Sequence, residues 1–270
     1  MPLPSAKAER FRQLHSSCFV IANAWDAGSA RILAGLGFQA LATSSGAHAG
    51  TLGRRDGHVT RDEALAHAKA VVEATDLPVS ADFERCFSDE PAAAAETIRL
   101  GAAVGLAGCS IEDAGDKGQP PYDFDHAVKR VAAAVKVARA LPVPFVLTAR
   151  AENFVRGKPD LDDTIKRLLA FEQAGADVLM APGLPDLDAV RKVCAALSRP
   201  YNFMAGIKGK SFSVAELQAA GVKRVSLATS LWRGAMSGLI EAAREVKEKG
   251  TFGYIERSLG TPDIAKFMRE

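Results

Sequence analysis

The chain has 270 residues, 48% of them apolar and 24% charged, and its 34 Lys and Arg stand against 32 Asp and Glu for a formal charge of +2. The two signs are interspersed without a basic block, which excludes a nucleic-acid-binding field, and charged residues interrupt every apolar run before the roughly 18 to 20 residues of a membrane helix. Cys18, Cys86, Cys109 and Cys194 lie far apart with no C-x-x-C pair, so neither a zinc site nor a disulfide framework is expected and all four read as free thiols.

From the N-terminus onward a short apolar or β-branched run alternates with a longer Ala-rich stretch of helical spacing. The runs are 18–23, 39–45, 78–84, 107–113, 144–150, 176–182, 200–206 and 223–229. Helical patterns lie between and after them at 29–36, 61–75, 90–105, 126–141, 162–175, 187–197, 214–221 and 238–250. Runs this apolar, without in–out alternation, suit strands covered by helices on their outer side. Asp26 and Thr60 read as helix N-caps, the latter in a capping box with Glu63. Gly37, Gly175 and Gly221 follow helices where a left-handed residue is needed. Eight strand–helix units predict a single (β/α)8 TIM barrel over 1–270; an open doubly wound sheet is the alternative, and no G-x-G-x-x-G follows the first run to favour a dinucleotide site. Residues 251–270 remain as an apolar C-terminal helical extension, expected to pack on a neighbouring subunit.

In such a barrel the site lies at the C-terminal strand ends. The third run ends in Asp82-Phe83-Glu84, the fourth in Glu112-Asp113 and the fifth in Arg150-Ala151-Glu152-Asn153. Strand alternation is expected to point Asp82 and Glu84 to one side, where Glu112 joins them. Three carboxylates in a low-dielectric cleft require a cation, and hard oxygen ligands suit Mg²⁺, with Mn²⁺ as its substitute. Each acid also has a plain role as a helix cap, and Arg150 could simply pair with Glu112 or Glu152. Functionally Arg150 offers a fork for an anionic substrate. The second run ends in Thr43-Ser44-Ser45-Gly46, small residues that let backbone N–H groups approach an anion, and the segment on through Leu52–His58 is long enough to act as a cover.

Ser44-Ser45-Gly46, the LGRRDGH segment with Asp56, PVSADFE, Ile111-Glu112-Asp113 and the TARAE beginning at Thr148 resemble the isocitrate lyase and phosphoenolpyruvate mutase superfamily, and 23–31 and 220–233 read as its first and last units. The resemblance implies that Ser44, Ser45 and Gly46 bind the substrate's carboxylate or enolate oxygen. It puts Asp56 near the reacting group, Asp82, Glu84 and Glu112 around Mg²⁺, and Arg150 on the substrate. It also implies a last helix swapped between the subunits of a homodimer or homotetramer. The loop after the fourth strand, Ala114–Pro121, lacks the acid/base cysteine of the isocitrate and methylisocitrate lyases and the Asn-containing lid of the mutases. Arg85-Cys86-Phe87 stands where relatives carry Gly followed by an aromatic residue, which bears on the metal loop.

Cys86 is a candidate replacement thiol, set against a buried bystander role. His48 and His58 flank the second loop and could exchange protons, His48 being taken as catalytic; His15, His67 and His126 fall on helical segments and read as solvent-facing. Trp25 and Asn202 are assigned to the substrate pocket, while Trp232 packs the last unit and Pro182 and Lys208 have no assigned role. The expected activity is a Mg²⁺-dependent lyase or decarboxylase that cleaves a carbon–carbon bond of a small 2-oxo or 2-hydroxy carboxylate through an enolate, in the cytoplasm, with no nucleic-acid or membrane partner. The alternatives are phosphorus–carbon chemistry on phosphonopyruvate or a carboxyphosphonate, and a non-catalytic 2-oxo-acid binding protein.

Overall fold

In a computed structural model, which describes residues 4–269, the eight apolar runs become short parallel strands. They are β1 (Phe19–Ala24), β2 (Leu41–Thr43), β3 (Val79–Asp82), β4 (Gly108–Glu112), β5 (Val146–Arg150), β6 (Val178–Met180), β7 (Tyr201–Met204) and β8 (Arg224–Ser226). They pair in sequence order, and β8 closes on β1 with Phe19 opposite Arg224, giving a (β/α)8 barrel. The helices are α1 (Pro4–Leu14), α2 (Ala27–Gly35), α3 (Ser45–Thr51), α4 (Arg61–Ala74), α5 (Pro91–Ala103), α6 (Phe124–Arg139), α7 (Leu161–Gln173), α8 (Leu187–Ala196), α9 (Val214–Ala219), α10 (Ser230–Lys249) and α11 (Thr261–Ala265).

The caps are those the sequence predicts. Asp26 and Thr60 each close a capping box, with Ser29 and Glu63 respectively, and Gly37, Gly175 and Gly221 take φ of 90°, 102° and 97°. Three elements differ from expectation. Helix α1 has too little apolar periodicity to announce itself, yet its Ala8 and Phe11 are buried with Phe19, Ile21, Ala40 and Val146, so it stoppers the N-terminal end of the barrel. The expected anion nest at Ser44–Gly50 is a short helix, α3, with Ser44 as its N-cap accepting from the Ala47 N–H. The C-terminal extension is a 3₁₀ turn at Gly253–Arg257 and the five-residue α11.

The main core fills the space between strands and helices. Helix α10, like the short α11, has no buried residue, and its Leu239 is 61% and Ile240 48% exposed. The chain beyond it turns back so that the Phe267 ring lies against Gly35 of α2. No described helix is long and apolar enough to cross a membrane.

Candidate active site

Asp82, Glu112 and Arg150 are the last residues of three adjacent strands, so backbone pairing alone brings them together. Arg150 is the hub. Its Nη1 lies 2.9 Å from Asp82 Oδ1, and its Nη2 lies 3.3 Å from Glu112 Oε2 and 2.9 Å from Glu152 Oε1. Arg156 adds a second guanidinium, 2.8 Å from Glu112 Oε1. On the other side of Asp82, the Ser45 N–H donates to Oδ2 at 3.2 Å, and the Ser45 hydroxyl lies 3.0 Å from Oδ2 and 3.1 Å from Asp56 Oδ1. Its single hydrogen serves one carboxylate at a time. Gly46 lies close against the site: a Cβ there would come within 3.0 Å of Thr229 Cγ2 and 3.1 Å of the Asp56 carboxyl carbon, so those side chains would have to shift. Lys117, from the loop after β4, closes the mouth with Nζ 3.1 Å from Asp56 Oδ2 and 3.3 Å from Glu84 Oε2.

Burial dominates the electrostatics, and the cations decide which acids escape it. Burial would raise Asp82, but Arg150 and Lys117 outweigh it and hold the carboxyl below its usual range. Glu112 is raised by burial, and by Glu152, despite Arg150. Glu84 is raised by burial and by Asp82 and Asp56, against Lys117. Burial would lower Lys117, yet Glu84, Glu112 and Asp56 push it well above the ordinary ammonium value, so it stays charged.

Within this cluster Glu112 Oε2 is buried and makes no hydrogen bond, its one charged neighbour being Arg150 Nη2 at 3.3 Å. The neighbouring donors are hard carboxylate oxygens, the type Mg²⁺ prefers. Among the described residues no three acid, imidazole or thiol groups close up enough to chelate a bare ion. Such oxygens suit a hard divalent cation held largely through its own waters, with one or two carboxylates bound directly.

The expected residues fall into three groups. Asp56, Asp82, Arg150, Ser44, Ser45, Gly46 and Asn202 line one cavity of about 260 Å³. Glu84 lies beside it, on the wall of a wider groove of about 580 Å³ that shares Lys117. Its direction comes from a different source than strand alternation: β3 ends at Asp82, and Glu84 turns inward from a left-handed backbone at φ 50°. Cys86 and Phe87 are also left-handed, at φ 56° and 60°, positions where glycine would be unstrained. Cys86 is fully buried, near the Ser110 carbonyl, and burial pushes its thiol up to about 12, so it is no nucleophile or acid for the mouth.

His48 and Trp25 do not line that cavity; His48 lies behind it, in a small pocket shared with Ser45, Asp82 and Glu84. His48 stacks on His67 with ring centroids 3.8 Å apart, and the Trp25 carbonyl accepts from His67 Nε2 at 2.9 Å. The expectation that His15 and His67 face solvent is corrected. Burial lowers them to about 3 and about 4, and His15 is 7% exposed because the end of α1 dips under the barrel. Glu152 pairs with Arg150 as its place two residues on suggests, whereas Lys117 and Arg156 carry no signal in the sequence. Lys117 sits in a Gly-Asp-Lys-Gly turn that looks like any surface loop, and the arginine follows a 3₁₀ turn, Asn153–Val155, that strand patterning does not reveal.

A closed barrel with acids and a guanidinium converging at the C-terminal strand ends is an enzyme architecture for a small anionic substrate. The family model for phosphoenolpyruvate phosphomutase matches residues 11–247, and the chain belongs to that family, as its motifs suggested. An uncharacterised protein of Mycobacterium tuberculosis (strain H37Rv) is 32% identical, over 88% of this chain and 89% of its own length. The oxaloacetate decarboxylase of Paraburkholderia xenovorans is 27% identical over 99% of this chain and 94% of its own. Among solved structures, a Burkholderia cenocepacia J2315 protein named only provisionally as a lyase/mutase superposes with a TM-score of 0.95 at 48% identity, covering 98% of this chain and 96% of that one. A 2,3-dimethylmalate lyase of the PEP mutase/isocitrate lyase superfamily gives 0.87 at 25% identity, covering 98% and 95%.

Proposed function

We propose that the protein is a Mg²⁺-dependent lyase or decarboxylase that breaks a carbon–carbon bond of a small 2-oxo or 2-hydroxy carboxylate and carries the electrons as an enolate. The observation that carries this is the buried cluster of Asp82, Glu112 and Arg150 at the cavity mouth, in which Glu112 Oε2 makes no hydrogen bond and has only a 3.3 Å ion pair to Arg150. Several relatives bear names of that chemistry, among them 2-methylisocitrate lyase of Halalkalibacterium halodurans and 2,3-dimethylmalate lyase of Eubacterium barkeri.

With oxaloacetate as the example, loss of carbon dioxide leaves an electron pair on C3, delocalised onto the 2-oxo oxygen. Arg150 grips the carboxylate, while the Ser45 hydroxyl and the Gly46 N–H face the developing oxyanion. Lys117 lends positive charge from the loop that carries a thiol in the methylisocitrate enzymes. A bound Mg²⁺, held mostly through water by Asp82, Glu84 and Glu112, would supply Lewis-acid stabilisation of that charge. The exposed apolar residues of α10, Leu239 and Ile240 among them, support a second proposal, that a second copy of the chain covers this helix in a homo-oligomer.

Purified protein incubated with Mg²⁺ and, separately, oxaloacetate, substituted malates and phosphonopyruvate should release a 2-oxo acid from one of the first two groups. EDTA and Asp82→Ala should each abolish it. Turnover of phosphonopyruvate alone would replace this proposal with phosphorus–carbon chemistry, and tight oxalate binding with no turnover at all would reduce the protein to a binding function.

A further inference from the structure

Bulky branched side chains ordinarily fill the middle of a barrel of this kind. Here Ala42, Ser80 and Ser110 stand there, and the cavity continues past them to Arg224 on β8. Arg224 Nη2 donates to Thr148 Oγ1 at 2.8 Å, and Thr148 precedes Arg150 by two residues on β5. That step puts the residue Arg224 touches two positions below Arg150 on the same strand.

The two guanidiniums differ in one respect. Arg150 is ringed by Asp82, Glu112 and Glu152. Arg224 is 5% exposed and its partners are neutral: Thr148, Asn202 Oδ1 at 2.8 Å and His15 Nε2 at 3.3 Å. His15 donates its Nδ1–H to the Phe11 carbonyl at 2.8 Å, so the ring is the uncharged tautomer that can accept from Arg224. Burial, with no neighbouring charge to offset it, brings Arg224 down to about 9, and it still carries its proton at neutral pH. A strut between strands needs no charge, and an unpaired buried cation is costly. A cation of this kind opening onto a ligand cavity is explained when the ligand brings the anion.

We propose that Arg224 is the floor of the substrate pocket and the counter-charge for a second carboxylate, so that the site selects dianionic 2-oxo or 2-hydroxy acids, one carboxylate at the mouth and the other at the floor. This rests on the mouth being a 2-oxo-acid site. It makes Arg224 a specificity residue in addition to the strand-end set.

Malate and 2-hydroxybutyrate differ only in a carboxylate against a methyl group, and oxalate is too short to reach the floor. Calorimetric titration of the full-length protein in Mg²⁺ with all three tests the assignment. The wild type is expected to bind malate roughly 10- to 100-fold more tightly than 2-hydroxybutyrate, the span for hydrogen bonds to a charged group. Arg224→Gln should bring that ratio close to one while leaving oxalate affinity unchanged, and Arg224→Lys should keep part of the preference. A wild type that does not distinguish malate from 2-hydroxybutyrate overturns the proposal without any variant, as does a ratio that survives in folded Arg224→Gln. Failure of oxalate to bind the wild type would instead remove the premise that the mouth is a 2-oxo-acid site.

Discussion

Lys117 shows how much one loop side chain can govern. Its ammonium is the group that lets Asp56 and Glu84 face each other at the mouth. Lys117→Met should therefore lower turnover by roughly 100-fold or more, the scale for deleting one preorganised charge-stabilising donor. Steady-state rates at saturating Mg²⁺ would show this, and an unchanged rate would make Lys117 a mere tether. Cys86 should be dispensable: Cys86→Ala retains activity, and in the wild type iodoacetamide reaches Cys86 only after unfolding. His15 and His67 set a pH dependence of stability. Both are held neutral in the fold at values depressed from about 6.5, so below that pH the unfolded chain binds more protons and stability falls as the solution is acidified towards pH 4 and then 3. A melting-temperature series between pH 7 and 5 should fall for the wild type and fall less steeply for His15→Gln.

At the scale of elements, Gly108 decides whether β4 can lie beside β5. A Cβ there would sit 2.4 Å from the Val146 carbonyl oxygen, a backbone atom that cannot step aside. Gly108→Ala should cost several kcal/mol, at the upper end of single substitutions, and denaturant titration would register it as a lowered midpoint. The sequence carried most of the barrel because its information there is repetitive: apolar runs, caps such as Thr60 with Glu63, and glycines such as Gly175 each specify their element locally. The same holds for Asp82, Glu112 and Arg150, which strand ends place without further help. What escaped was long-range. Helix α1 gains its place from two residues, Ala8 and Phe11, that find a partner only once the barrel exists. Lys117 and Arg156 act through charges that lie far away in sequence, and Arg224 through neutral partners on other elements. Glu84 points inward through a left-handed turn that no residue preference announces, since none of residues 84–87 is glycine.

At the scale of the molecule, α10 carries Leu239, Ile240 and Val246 into solvent, followed by Phe252, Ile255 and Leu259. So many large apolar side chains exposed along one stretch of chain are unusual on a monomer. Light scattering should give at least twice the 28.5 kDa chain mass, and Leu239→Glu with Ile240→Glu should shift it towards one chain; a monomeric wild type would refute the oligomer.

Phe11 and its neighbours seal the barrel's lower end, so whatever enters by the mouth must leave by it. On the proposed binding mode, with one carboxylate at the floor and one at the mouth, cleavage produces two fragments in single file, and the outer one has to depart before the inner one can. In steady-state kinetics the last fragment out should compete with substrate for the free enzyme, whereas the first should inhibit by a mixed pattern. The N-terminal plug thereby dictates an order of product release, although α1 contributes no group to the chemistry.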